Sequence, residues 1–149
     1  MLPAAGVISG IIAHKNSAYD FVYLYGNPQV TTAVVNTLMA DYSAHHQNAR
    51  IMRTSGPQFL DDLLENIKDG KPYALPDGGL LDCDLFVFEG IDSVAGRMTA
   101  EQRLYGMFDW LIENHVQVVV TGEMHPEAML TLAHRICAQL EGGLVCMVE

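Results

Sequence analysis

The chain is poor in positive charge. Lys and Arg total 8 against 18 Asp and Glu, a formal net charge of −10 over 149 residues. Binding to DNA, RNA or an anionic membrane draws on counterion release by clustered cations, so a chain this acidic is expected to bind none of them directly. Cysteine is scarce. Cys83, Cys137 and Cys146 are odd in number, and no two stand at a C-x-x-C spacing. They read as small buried hydrophobes in a reducing cytoplasm, with Cys83 and Cys146 inside apolar runs that look like strands. No apolar run approaches the roughly 20 residues of a membrane span. Residues 1–15 are mildly apolar without a basic start, so no secretory signal is expected. Repeats, linkers and low-complexity tracts are also missing, which points to one domain over residues 1–149.

What remains is a core-forming chain. It is 50% hydrophobic and 17% charged, too apolar for disorder and long enough for one core. Its acidity favours a protein partner, a cation or a small ligand.

The patterning alternates between two periods. Residues 2–14 read as a short apolar helix loosened by Gly6 and Gly10. Phe21-Val22-Tyr23-Leu24-Tyr25 is a β-rich run ending at Gly26, followed by a helix with Val30, Val34, Val35 and Leu38 on one face. Residues 50–53 are a short strand candidate. Ser55-Gly56-Pro57-Gln58 has the form of a capping box, ahead of an apolar stripe of Phe59, Leu60, Leu63, Leu64 and Ile67. Residues 69–79, rich in Pro and Gly, read as a surface loop. Leu85-Phe86-Val87-Phe88 is a second buried strand. Thr99-Ala100-Glu101-Gln102 looks like another capping box, continued by Leu104, Met107, Phe108, Leu111 and Ile112. Residues 116–120 form a third strand, 126–140 a helix and 144–148 a last strand. Short continuous apolar strands between amphipathic helices predict an α/β fold, a parallel sheet covered on both faces.

Ligands of open α/β sheets bind at the carboxyl ends of the strands. A phosphate loop would lie at Gly26-Asn27-Pro28-Gln29-Val30-Thr31-Thr32. Such a loop, G-x-x-x-x-G-K-[ST], offers backbone N–H groups to phosphates, a Lys to the outer oxygens and a hydroxyl to Mg²⁺. Here Gly26 and Thr32 fit, but the second Gly and the Lys are missing and the segment is one residue shorter. Asn is a favoured N-cap and Pro a favoured first helical residue, so Asn27-Pro28 predicts an ordinary capped helix. A Walker B strand ends in two acids. With Phe88 at the first position, only Glu89 remains, and a strand-end Glu is also an ordinary solvated residue. Thr121-Gly122-Glu123 offers a polar strand end where a γ-phosphate could be sensed. Glu89 and Glu123 together would serve a small α/β enzyme as an acid pair. The neighbours His45 and His46 diverge by about 100° on a helix, a poor metal pair. His14, His115, His125 and His134 are scattered, and no metal set is expected.

Taken together, these segments resemble the AAA+ domain of the bacterial replication initiators, the DnaA and Hda family. The resemblance runs from about Tyr19 to Val148. Residues 21–26 look like the family's strand into the phosphate loop, and 55–67 like its helix after the second strand. Residues 84–91 resemble the Walker B segment without a gap. Residues 118–126 look like the sensor-one strand with its following proline, and 135–148 like the arginine-finger segment and last strand. Helicase loaders share much of this pattern.

The resemblance implies a three-layer αβα fold with five parallel strands in the AAA+ order. It implies a degenerate nucleotide site at Gly26, Asn27, Thr31, Thr32, Glu89 and Glu123, with Thr31 near the place of the phosphate-loop Lys. Gln139 stands at the arginine-finger position, where it offers no permanent cation. The chain ends where the family's lid and DNA-binding domain would begin. The expectation is a catalytically silent, cytoplasmic pseudo-ATPase without a cofactor, docking on a replication protein or on itself. The alternative is a regulatory domain that binds ATP or ADP with Mg²⁺ and hydrolyses it slowly or not at all.

Overall fold

The computed structural model describes residues 4–13, 17–68 and 83–149. Its elements follow in the order α1 (Ala4–Ala13), β1 (Phe21–Gly26), α2 (Pro28–His45), β2 (Ile51–Ser55), α3 (Gly56–Lys68), β3 (Leu85–Glu89), α4 (Met98–Glu113), β4 (Gln117–Gly122), α5 (His134–Glu141) and β5 (Leu144–Val148). Short 3-10 turns lie at Ser17–Asp20, Ile91–Val94 and Pro126–Ala128. The five strands are parallel, in the order β2-β3-β4-β1-β5.

Strand side chains alternate between two cores, as period-two geometry requires. Phe21, Tyr23, Phe86, Phe88, Val118 and Val120 face α3, α4 and α5, meeting Phe59, Leu104, Phe108 and Ile136. Val22, Leu24, Leu85, Val87 and Val119 face α1 and α2, meeting Ile11, Val35, Leu38 and Tyr42. Both faces of the sheet are thus covered, which explains why the strands read as unbroken apolar runs. Phe88 sits between Phe59 and Phe108 with edge-to-face ring centroids at 5.7 and 5.9 Å. Such pairs add about 0.5–1.5 kcal/mol each beyond area burial.

Several expectations shift. The strand expected at residues 50–53 is displaced toward its carboxyl end, to Ile51–Ser55. Cys83 precedes β3 instead of lying in it. Ser55 does cap α3, its Oγ accepting the Gln58 N–H at 3.2 Å. The return bond of a capping box is replaced by Gln58 Nε2 donating to Asp62. The second capping box fails, because α4 starts at Met98 with Arg97 as N-cap, placing Thr99 inside the first turn.

The single helix expected over residues 126–140 is broken into the 3-10 turn and α5. Ala133 leaves the helical region at φ −53°, ψ 134°. Its N–H donates to the buried carboxylate of Glu101 at 2.6 Å, while Met129 and Leu132 turn into the core. A charge-assisted bond from another helix and two buried side chains outweigh local helical spacing. The stretch 69–79, the side chain of Ile67 and His14 lie outside the described residues.

Candidate functional site

At the carboxyl ends of β2, β3 and β4, beside the start of α2, lies a cavity of about 390 Å³. Pro28, Thr31 and Thr32 form one wall, Ser55 and Pro57 another, and Glu89, Asp92, Thr121 and Glu123 the rest. The fold therefore gathers Thr31, Thr32, Glu89 and Glu123 at one place. Gly26 and Asn27 adjoin it at the end of β1, and Gln139 does not belong to it.

The step from β1 to α2 is a single residue, Asn27, between Gly26 and Pro28. Gly26 has φ +149°, and a Cβ there would come within 2.4 Å of the Val148 carbonyl oxygen of β5. Glycine is thus required by the close approach of a neighbouring strand. Asn27 lies outside helical space at φ −58°, ψ 129°, and its Oδ1 accepts the Gln29 N–H at 2.8 Å. Its carbonyl accepts the N–H groups of Val30 and Thr31 at 2.9 and 3.0 Å. Pro28 has no N–H to give. Every N–H of the first four helical residues is thereby accounted for within the chain. The Thr31 hydroxyl is also turned inward, donating to the Pro28 carbonyl at 3.1 Å.

The acids are arranged unequally. Glu89, the last residue of β3, alternates to the α2 side of the sheet, opposite in direction to Phe88. Arg53 of β2 meets it in an ion pair from Nε to Oε1, and Arg53 Nη1 donates to Asn36 Oδ1 of α2 at 2.9 Å. Asp92 accepts the Glu123 N–H, nearest at 3.1 Å. Three carboxylates line the cavity, and no lysine or arginine is among its described walls.

Two further contacts fix the rim. The Gly90 N–H reaches both the Thr121 carbonyl and Thr121 Oγ1 at 3.1 Å. The Tyr23 hydroxyl donates to the Met124 carbonyl at 2.7 Å, just beneath the turn. A Cβ on Gly122 would lie 2.1 Å from that hydroxyl, so glycine makes room for it. Burial, helped by the Asp92 charge, holds the Tyr23 phenol far above its ordinary range. Sequence reasoning missed Arg53, Asp92 and Tyr23, because their partners lie 36, 31 and 101 residues away.

Gln139 points back onto α4, its Nε2 donating to the Tyr105 carbonyl at 3.1 Å. Burial pushes the thiols of Cys83, Cys137 and Cys146 up, which makes them poor nucleophiles. His45, the last residue of α2, and His46, its C-cap outside helical space, contact separate carbonyls, those of Asp41 and Ile12. Among the described residues no helix is long and apolar enough to cross a membrane.

The parallel sheet order, the helices on both faces and the strand-end cavity define an AAA+-type P-loop NTPase fold. The model of the bacterial DnaA ATPase domain matches residues 4–147, and the chain belongs to that family. It is 24% identical over 128 residues to the chromosomal replication initiator protein DnaA of Jannaschia sp. (strain CCS1), covering 85% of this chain and 27% of that one. The chain spans about a third or less of the curated relatives it matches, 27% and 31%. Domain III of Thermotoga maritima DnaA superposes with a TM-score of 0.81 at 17% identity, over 98% of this chain and 60% of that one. AMPPCP-bound DnaA from Aquifex aeolicus gives 0.81 at 18% identity, over 96% and 44%.

Proposed function

We propose that this chain is a DnaA-type domain that does not hydrolyse ATP and acts by binding a protein of replication initiation, either a replication protein or a second copy of itself. The start of α2 carries this reading. A triphosphate at a helix N-terminus needs N–H groups free to donate and a cation on its outer oxygens. Here a one-residue connection leaves no loop, and the first-turn N–H groups are spent on Asn27 and the helix itself. The cavity beyond offers Glu89, Asp92 and Glu123 to a polyanion. Glu89, the acid at the end of β3, already holds Arg53. ATP with Mg²⁺ does not fit this donor set. Gln139, bonded to Tyr105, cannot act as an arginine finger.

A protein partner accords with the charge and the surface. At −10 the chain is a poor polyanion binder, and Leu130, Met98 and Met124 stand 90, 74 and 45% exposed. We place it in the cytoplasm, with no direct contact to nucleic acid or membrane.

The deciding experiment is a thermal melt with and without ATP, ADP and Mg²⁺, run beside an ATPase assay. A ligand at about 100 times its Kd adds on the order of 2.7 kcal/mol, a shift of several degrees. The expected result is no shift and no turnover. Mg²⁺-dependent turnover that vanishes in Glu89→Gln would overturn the proposal. A Mg²⁺-dependent shift without turnover would favour a nucleotide-bound regulatory domain. The pairing of Glu89 with Arg53 weighs against an acid-pair enzyme built on Glu89 and Glu123.

A further inference from the structure

The fold brings Glu141, at the end of α5, beside His125 and Glu127 of the turn after β4. A ring nitrogen of His125 and one carboxylate oxygen each of Glu127 and Glu141 lie within 4.8 Å of one another. Donors on one tetrahedral ion at about 2.1 Å stand roughly 3.4 Å apart, so the set must contract by only about 1.4 Å or less. Glu127 and Glu141 are exposed and free to change rotamer, while His125 is half-buried with its ring edge-on to Tyr25 at 5.4 Å. One rigid and two adjustable ligands are what such a contraction needs. Both glutamates also line a neighbouring cavity of about 410 Å³, which leaves room for an ion's water molecules. Among the described residues neither carboxylate is paired with a lysine or arginine.

We propose that His125, Glu127 and Glu141 form a binding site for a divalent first-row transition ion, with Zn²⁺ as its probe. One imidazole nitrogen and two carboxylate oxygens suit Zn²⁺ and its neighbours, whereas Mg²⁺ and Ca²⁺ favour all-oxygen shells. Three protein ligands leave a coordination position to water. A bound ion ties the segment after β4 to α5. It does so outside the strand-end cavity, so the site stands whether or not that cavity takes a nucleotide.

Binding has a local signature. In the free protein His125 Nδ1 accepts the Glu127 N–H at 3.1 Å. An ion at Nδ1 displaces that bond directly. An ion at Nε2 moves the ring proton to Nδ1 and removes the acceptor. By either route the Glu127 amide loses its partner.

The test is calorimetric titration of the whole chain with Zn²⁺ in a chelator-free buffer, followed in parallel by the Glu127 amide resonance. The expected result is one ion per chain, a shifted Glu127 amide and no competition from millimolar Mg²⁺. His125→Ala and Glu141→Gln should each weaken binding at least tenfold, with Cys137→Ser and His134→Ala unchanged. Melting curves of the variants check that each is folded, and Glu141→Gln at an exposed position is the mildest of them. Absence of saturable binding overturns the proposal. So does binding that survives Glu141→Gln and His125→Ala, or that depends on Cys137 instead.

Discussion

Arg53 and Glu89 face each other across β2 and β3 in an ion pair whose cation also bonds Asn36 of α2. One of the three acids lining the strand-end cavity is therefore already matched. Its partner is tethered to the helix on which a phosphate would rest.

That pair should be measurable. Its side chains are 36 and 18% exposed, between the surface pairs that contribute little and the buried pairs that are costly to break. A double-mutant cycle with Arg53→Ala and Glu89→Gln, read by urea unfolding, should give a coupling of about 1 kcal/mol. The coupling should shrink as salt is raised. Additive single mutants would show that the pair contributes nothing.

Asn27 gives a second prediction. Replacing it with Ala removes the acceptor for the Gln29 N–H and should cost about 1 kcal/mol, whereas Gly should cost only a few tenths. Denaturant midpoints of the two variants provide the check. Equal losses would mean that the side-chain cap is not what holds the helix start.

Much of this architecture was legible because its causes are local. The runs at Phe21–Tyr25 and Leu85–Phe88 are apolar on both faces, so they announce a covered parallel sheet. Asn27-Pro28 announces a capped helix by its residue types alone. The site was legible only in part. Gly26 read as a relic of a phosphate loop, yet its nearest constraint is the Val148 carbonyl of a strand more than a hundred residues away. Phe88 stood in for a lost acid, but strand alternation turns it into the aromatic cluster, while Glu89 reaches the cavity. Periodicity between residues 126 and 140 promised one helix and could not register the carboxylate of Glu101.

That carboxylate supports a third prediction. Glu101 is 6% exposed, and its Oε2 accepts the Ala133 N–H that would otherwise lack a partner. Glu101→Ala should cost about 2 kcal/mol, from a lost charge-assisted bond and an orphaned donor. Glu101→Gln keeps an acceptor oxygen and should cost about half as much. Hydrogen exchange at the Ala133 amide distinguishes a local effect, faster in Glu101→Ala, from a general loss of stability.

Tyr23 ties stability to pH. Its hydroxyl is buried on the Met124 carbonyl, and Tyr23→Phe should cost about 1 kcal/mol at neutral pH by leaving that carbonyl short of a donor. The folded protein holds the phenolic proton well above its ordinary value of 10.0, because burial disfavours the phenolate. Unfolded chains release that proton as pH passes about 10. The folded state then binds more protons than the unfolded one, so stability must fall with rising pH. The contribution is fully present below pH 10 and is lost above it. Tyr42 and the three cysteines are shifted in the same direction and add slopes of the same sign. Those slopes are common to wild type and Tyr23→Phe, so the difference between the two isolates Tyr23. Melting temperatures measured from pH 8 to 11 should start apart, with wild type higher, and converge above pH 10. Parallel curves over that range would mean that the phenol ionises as readily folded as unfolded, and curves that coincide already at pH 8 would mean that the Tyr23 hydroxyl does not hold the turn.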